Sequence, residues 1–147
     1  MSQSKYAKYI VTEPIREAIA HGGETAMPPE KVTGRTAPLA QYLNNRLVSN
    51  CGLFQLCCWV WEVPNTNPWT EHHSHTSDEI LIFAGSDPNN IEDLGGEVEI
   101  QLGDEIHKID KTATIFIPKG LPHAPIFFKR VDRPFLFIAI GLQGEYE

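Results

Sequence analysis

The feature that most narrows the fold is a succession of short runs rich in β-branched, aromatic and leucine residues, which begins near residue 52 and continues to residue 142. The runs are "LFQLCCWVWEV" (53–63), "EILIFAG" (79–85), "EVEIQL" (97–102), "EIHKI" (105–109), "ATIFIP" (113–118), "APIFFKR" (124–130) and "FLFIAIGL" (135–142). They have strand length, several alternate apolar with polar residues, and turn-forming residues separate them. Gly103-Asp104 between two alternating runs is a tight-hairpin signal, whereas 64–68 and 86–96 read as longer loops. No helix-period segment interrupts the series, so parallel crossover units are not supported. The expectation is an all-β, mostly antiparallel sandwich or barrel.

The first fifty residues have a different texture. "YAKYIVTEPIREAIA" (6–20) reads as a strand continuing into a helix, with Pro14 near its first turn. Residues 27–38 hold three prolines and a glycine and read as a loop, and "PLAQYLNNRLV" (38–48) is a short amphipathic segment. No chemical motif is visible in this arm, which is expected to cover a sheet edge or a partner subunit. A chain of 147 residues has room for one compact core. A single domain over 1–147 is therefore expected, with an arm at 1–51 and a β-barrel at 52–142.

Charge excludes several classes of partner. Twelve Lys and Arg against 19 Asp and Glu give a net charge of -7, which leaves no basic stripe for a nucleic acid or an anionic membrane. No apolar run approaches the roughly 20 residues needed to span a bilayer. The opening MSQSKYAKYI lacks the apolar core of a secretory signal, so a cytoplasmic protein is expected. Cys51, Cys57 and Cys58 are odd in number, and the adjacent pair points to opposite faces of a strand, which disfavours a disulfide framework. Trp59, Val60 and Trp61 beside them suggest buried, inert thiols rather than a nucleophile.

The chemistry concentrates in "TEHHSHTSDEILIFAG" (70–85), which holds three of the six histidines. On an extended segment, residues two apart face the same way, so His73, His75 and Glu79 share a face and His72 points away. Two imidazoles and a carboxylate in that arrangement suit a transition metal with positions left open for water or substrate. A further ligand is expected among His21, His107 and His123. Only His123 has a rigid setting, "PKGLPHAP" (118–125), where prolines and Gly120 restrict the backbone. His107 shares an alternating strand with Glu105 and reads as a surface residue, and His21 precedes a Gly-Gly pair as a helix end. "DPNNIED" (87–93) lacks the glycine and terminal glutamate of a calcium loop and reads as a turn.

"HSHTSDE" is His-x-His-x3-Glu followed by Gly85, and "PKGLPH" is Pro-x-Gly-x2-His. Together they resemble the two motifs of the cupin superfamily, over residues 52–142. The resemblance implies an antiparallel jelly-roll β-barrel. It also implies a divalent transition metal (iron, manganese, nickel or zinc) held by His73, His75, Glu79 and His123. Three positions depart from the family pattern: Asn67 and Thr112 stand where glycines are frequent, and Phe127 stands where an asparagine is frequent. The spacing from Gly85 to Thr112 is long, which places "SDPNNIEDLGG" (86–96) at the barrel rim as an inserted loop.

Continuing the strand parity puts Leu81 and Phe83 after Glu79, and Pro125 and Phe127 after His123, into the interior. The expected pocket is apolar and aromatic, for a small apolar or aromatic organic molecule. The expected activity is that of a metal-dependent oxygenase, isomerase or lyase whose catalytic groups are the metal ligands themselves. The alternative is a binding or sensing module of the same fold without turnover. Small cupins often pair through barrel strands, so a homodimer is expected.

Overall fold

The computed structural model describes residues 4–17 and 27–144. The described residues form nine strands: β1 (Ile15–Arg16), β2 (Ala40–Leu43), β3 (Phe54–Val60), β4 (Glu79–Gly85), β5 (Asp93–Leu102), β6 (Glu105–Lys111), β7 (Ala113–Ile117), β8 (His123–Val131) and β9 (Phe135–Gly141). The only helical elements among the described residues are 3-10 turns at Ala7–Tyr9 and Pro29–Lys31. Every strand pair is antiparallel. One sheet runs β1-β2-β3-β9-β4-β7 and the other β6-β5-β8. Isolated bridges Trp69↔Ile126 and His73↔His123 lay residues 69–73 along the free edge of β8 as a rudimentary fourth strand. From β3 onward the chain passes back and forth between the two sheets, which is the jelly-roll path. The sheets face one another without closing into a continuous ladder.

The alternation in the sequence explains which residues turn inward. In register, Leu56, Ala139, Leu81 and Ile115 form one inner row, and Phe54, Gly141, Glu79 and Ile117 form the next. The intervening rows face outward. β5 and β8 close the core from the other sheet with Val98, Ile100, Ile126 and Phe128. The Gly103-Asp104 hairpin joins Leu102 to Glu105 as expected, with Gly103 at φ 59°. Gly85, the glycine that closes the first motif, lies so close to β5 that a Cβ there would overlap the Asp93 carbonyl oxygen. Strand crossing, rather than chemistry, requires that glycine.

The N-terminal arm departs from the sequence expectation. Residues 11–17 form no helix: they contain β1, while residues 18–26, including His21, lie outside the described residues. The segment read as amphipathic becomes β2, so the arm extends the larger sheet beyond β3 and covers its edge. The loop at 86–96 is also shorter than expected, because β5 already starts at Asp93.

The expectation of buried thiols is met only by Cys58, since Cys51 and Cys57 are half-buried. None of the three cysteines forms a disulfide, and Trp59 and Trp61 beside them stand about half exposed, at 46% and 49%. Cys57 lies on the outer side of the sheet, where burial pushes its thiol up, partly offset by a hydrogen bond from Gln55. A raised thiol is a poor nucleophile at neutral pH.

Candidate metal centre

The first motif is not one continuous strand. Glu79 opens β4, His73 occupies the isolated bridge to His123, and the chain bends between His75 and Glu79. The two motifs are joined through their backbones. His73 and His123 exchange N–H···O bonds of 3.0 and 2.8 Å, and the Gly120 N–H donates to the His75 carbonyl at 2.9 Å. Gly120 turns the chain at φ 84°, a conformation that favours glycine. The Asp78 carboxylate accepts the Lys119 N–H at 2.9 Å, fixing the approach to Glu79.

These connections bring three imidazoles together. Ring centroids are 4.4 Å apart for His73 and His123, 4.8 Å for His73 and His75, and 5.2 Å for His75 and His123. One ligand atom from each lies within 4.8 Å of the others. Glu79 lies beside two of the three, with Oε1 3.1 Å from His123 Nε2 and Oε2 3.5 Å from His75 Nε2. His75, Glu79 and His123 are buried, and His73 stands at the rim. His72 is exposed and its Nδ1 meets the Ala124 carbonyl at 2.8 Å, outside the cluster as its parity suggested. His107 pairs with Glu105 on the surface at 2.9 Å.

Backbone carbonyls set the tautomers. His123 Nδ1 lies 2.9 Å from the Leu121 carbonyl and His73 Nδ1 lies 2.5 Å from that of Glu71. A carbonyl accepts only, so each Nδ1 carries a proton, and in the neutral imidazole each Nε2 then offers a lone pair. On His123 that lone pair is buried, has no hydrogen bond, and faces the carboxylate of Glu79. A ring nitrogen and a carboxylate oxygen at this distance are compensated by a cation between them, a proton or a metal ion. The cluster can therefore hold a metal ion, and its donor chemistry, nitrogen with one carboxylate, suits a first-row divalent ion.

A cavity of about 50 Å³ opens beside the cluster, lined on its polar side by Thr70, His73, Glu79 and His123. Leu81 lines it as expected, but Phe83 and Phe127 do not. Phe83 is fully buried against Phe135 and Phe137, deeper in the core. Phe127 faces outward because β8 carries a bulge: Leu102 pairs with His123 and Ile100 with Ile126, so β8 spends one more residue than β5 over that interval. The extra residue reverses the side-chain alternation. Ile126 and Phe128 turn inward after His123, and Phe127 turns out, beneath the Lys129 ammonium at 5.8 Å. Ala124, at φ 69°, and Pro125, which has no N–H for the ladder, mark the bulge.

The other two departures from the family pattern have structural roles. Asn67 mimics a strand residue, donating to the Phe128 carbonyl and accepting its N–H, each at 2.9 Å. The Thr112 hydroxyl accepts the Gly85 N–H at 3.0 Å. Residues the sequence did not single out also build the cavity wall: Leu39 from the arm, Leu56, Trp69, Ile126, Phe137 and Ala139. Trp69 is held by Arg35, whose buried guanidinium lies 4.7 Å over the indole and donates to Thr66 and the Thr36 carbonyl, each at 2.9 Å. A proline following His123 was the one available signal for the bulge.

No protein-family model matches the chain, and no curated protein sequence does. Solved structures similar to it include a Cupin 2 conserved barrel domain protein from Salinispora arenicola, at 17% identity and TM-score 0.42, covering 63% of this chain and 64% of that one. Another is Fe(II) HppE, at 17% identity and TM-score 0.47, covering 70% of this chain and 48% of that one. A third is a variant oxalate decarboxylase from Bacillus subtilis, at 15% identity and TM-score 0.49, covering 74% of this chain and 26% of that one. The chain thus spans about half the length of HppE and a quarter of the decarboxylase. Among the described residues no helix is long and apolar enough to cross a membrane.

Proposed function

We propose that this chain is a metal-dependent protein of the cupin type. In this reading His73, His75, Glu79 and His123 hold one divalent iron, manganese, nickel or zinc ion, beside a cavity that takes a small, largely apolar organic molecule. The observation that carries the proposal is the cluster of three imidazoles, His73, His75 and His123, with the buried His123 Nε2 3.1 Å from the Glu79 carboxylate. A bound ion would supply Lewis acidity toward a ligand oxygen and, for iron or manganese, redox chemistry. The protein groups hold that centre, orient the ligand against an apolar wall and exclude water. Oxygenase, isomerase and lyase activities are all compatible with such a wall.

A second reading is binding or sensing without turnover. It is favoured by the cavity lining, in which the only protonatable groups are members of the proposed ligand set. Elemental analysis of freshly purified protein tests the centre. One equivalent of metal is expected in the wild type and at least a tenfold loss in His73→Ala with the β-rich spectrum intact, whereas metal unaffected by that substitution refutes it. Screening the metal-loaded protein for turnover, against saturable binding of the same compounds, separates enzyme from sensor.

The partner we propose is a second copy of the chain, docked on the outer face of the larger sheet. An antiparallel sheet with one face in water carries polar residues there. Here that face holds Ile80, Ile82, Ile138 and Ile140 in adjacent register, with Trp59 and Phe116 exposed at 46% and 59%.

A further inference from the structure

Two small residues, Ala124 and Ala139, line the cavity. Ala139 stands in register between Leu56 and Leu81, and the hollow over its methyl group is the space that two neighbouring leucines leave open. Ile126 from the opposite sheet and Leu39 from the N-terminal arm also line it. A cavity of about 50 Å³, at about 10–15 Å³ for each water-sized occupant, admits about three to five such groups. A six-carbon aromatic ring with a donor atom exceeds that space. From these dimensions and this lining we infer that the ligand is a short aliphatic oxygen-donor molecule with a tail of about three or four carbons. Its oxygen head meets the His73, Glu79 and His123 side, and its tail lies over Ala139 beneath Leu39. Leu39 makes the arm a determinant of specificity as well as an edge cover. The assignment of the head rests on the metal-centre reading, whereas that of the tail rests on the cavity alone.

Two ligand series test this. The first is n-alkyl hydroxamates with methyl to hexyl tails, plus benzohydroxamate, titrated into cobalt(II)-loaded protein and read by the ligand-field absorption. The second is ethanol to hexanol, titrated into metal-free protein and read by the methyl resonances of its leucines and isoleucines. Affinity is expected to rise about fourfold per methylene up to propyl or butyl, then to fall by about tenfold or more for longer tails and for phenyl, as overpacking sets in. Leu39→Ala shifts the optimum two or three carbons longer, Leu39→Val shifts it less in the same direction, and Ala139→Val shifts it shorter. Equal affinity along both series, phenyl binding as well as propyl, or an optimum that none of the three variants moves would overturn the inference. If the protein takes up no metal, the centre fails, and the alkanol optimum of the metal-free protein still decides the tail.

Discussion

Glu79 is where function and stability pull in opposite directions. Its carboxylate sits on an inner row between Gly141 and Ile117, only 3% exposed, where a hydrophobic residue would normally pack. Burying a carboxylate is unfavourable unless a cation compensates it, and replacing a buried charged group by an apolar one is often neutral or stabilising by about 1–4 kcal/mol. Glu79→Leu is therefore expected to leave the melting temperature of metal-free protein unchanged or higher. The same substitution should abolish the stabilisation by metal. In the wild type that gain is about 2.7 kcal/mol at a hundredfold excess of metal over Kd, or roughly 8 °C for a chain of this size. Thermal melts with and without chelator check both halves, and a clear fall in metal-free Tm would contradict the account. At this scale the sequence was informative: residue type and spacing suggest His73, His75, Glu79 and His123 as candidate ligands, because ligating chemistry needs particular atoms, and the structure brings the three histidines together with Glu79 beside two of them. The sequence did not reveal that Asn67 and Thr112 supply hydrogen bonds where glycines are frequent, since those bonds depend on which backbone atoms lie opposite.

Strand β8 shows how one inserted residue changes a face. Parity counted from His123 places Phe127 inside, and the bulge at Ala124 and Pro125 places Ile126 there instead. Ile126→Ala is expected to destabilise by about 2–4 kcal/mol as a buried large-to-small change, and to weaken ligand binding. Phe127→Ala should shift stability by about 1 kcal/mol or less and leave the cavity unaltered. Urea unfolding of both variants distinguishes the two faces, and the reverse order would restore the simple parity. β4, in contrast, was fully legible, because its alternation from Glu79 to Gly85 is uninterrupted and the strand matches it end to end. A period-two pattern carries information only while the ladder stays in step.

For the whole molecule, the outer face of the larger sheet predicts self-association. Sedimentation of the wild type should give twice the chain mass, and Ile82→Lys combined with Phe116→Glu should give a monomer that still takes up metal. A monomeric wild type would remove the second copy from this face. The run pattern alone determined an all-β antiparallel chain, since strand-length apolar alternation with tight turns leaves helices no place. The two motifs alone offered the candidate ligands and implied the jelly roll. Tertiary structure decided what stands around them. It recruited Leu39 from an arm without any motif, directed Ile126 inward through a bulge, and left a small hollow beside Ala139. These features depend on register between strands distant in sequence, and on the volume left after packing, which a local pattern does not encode.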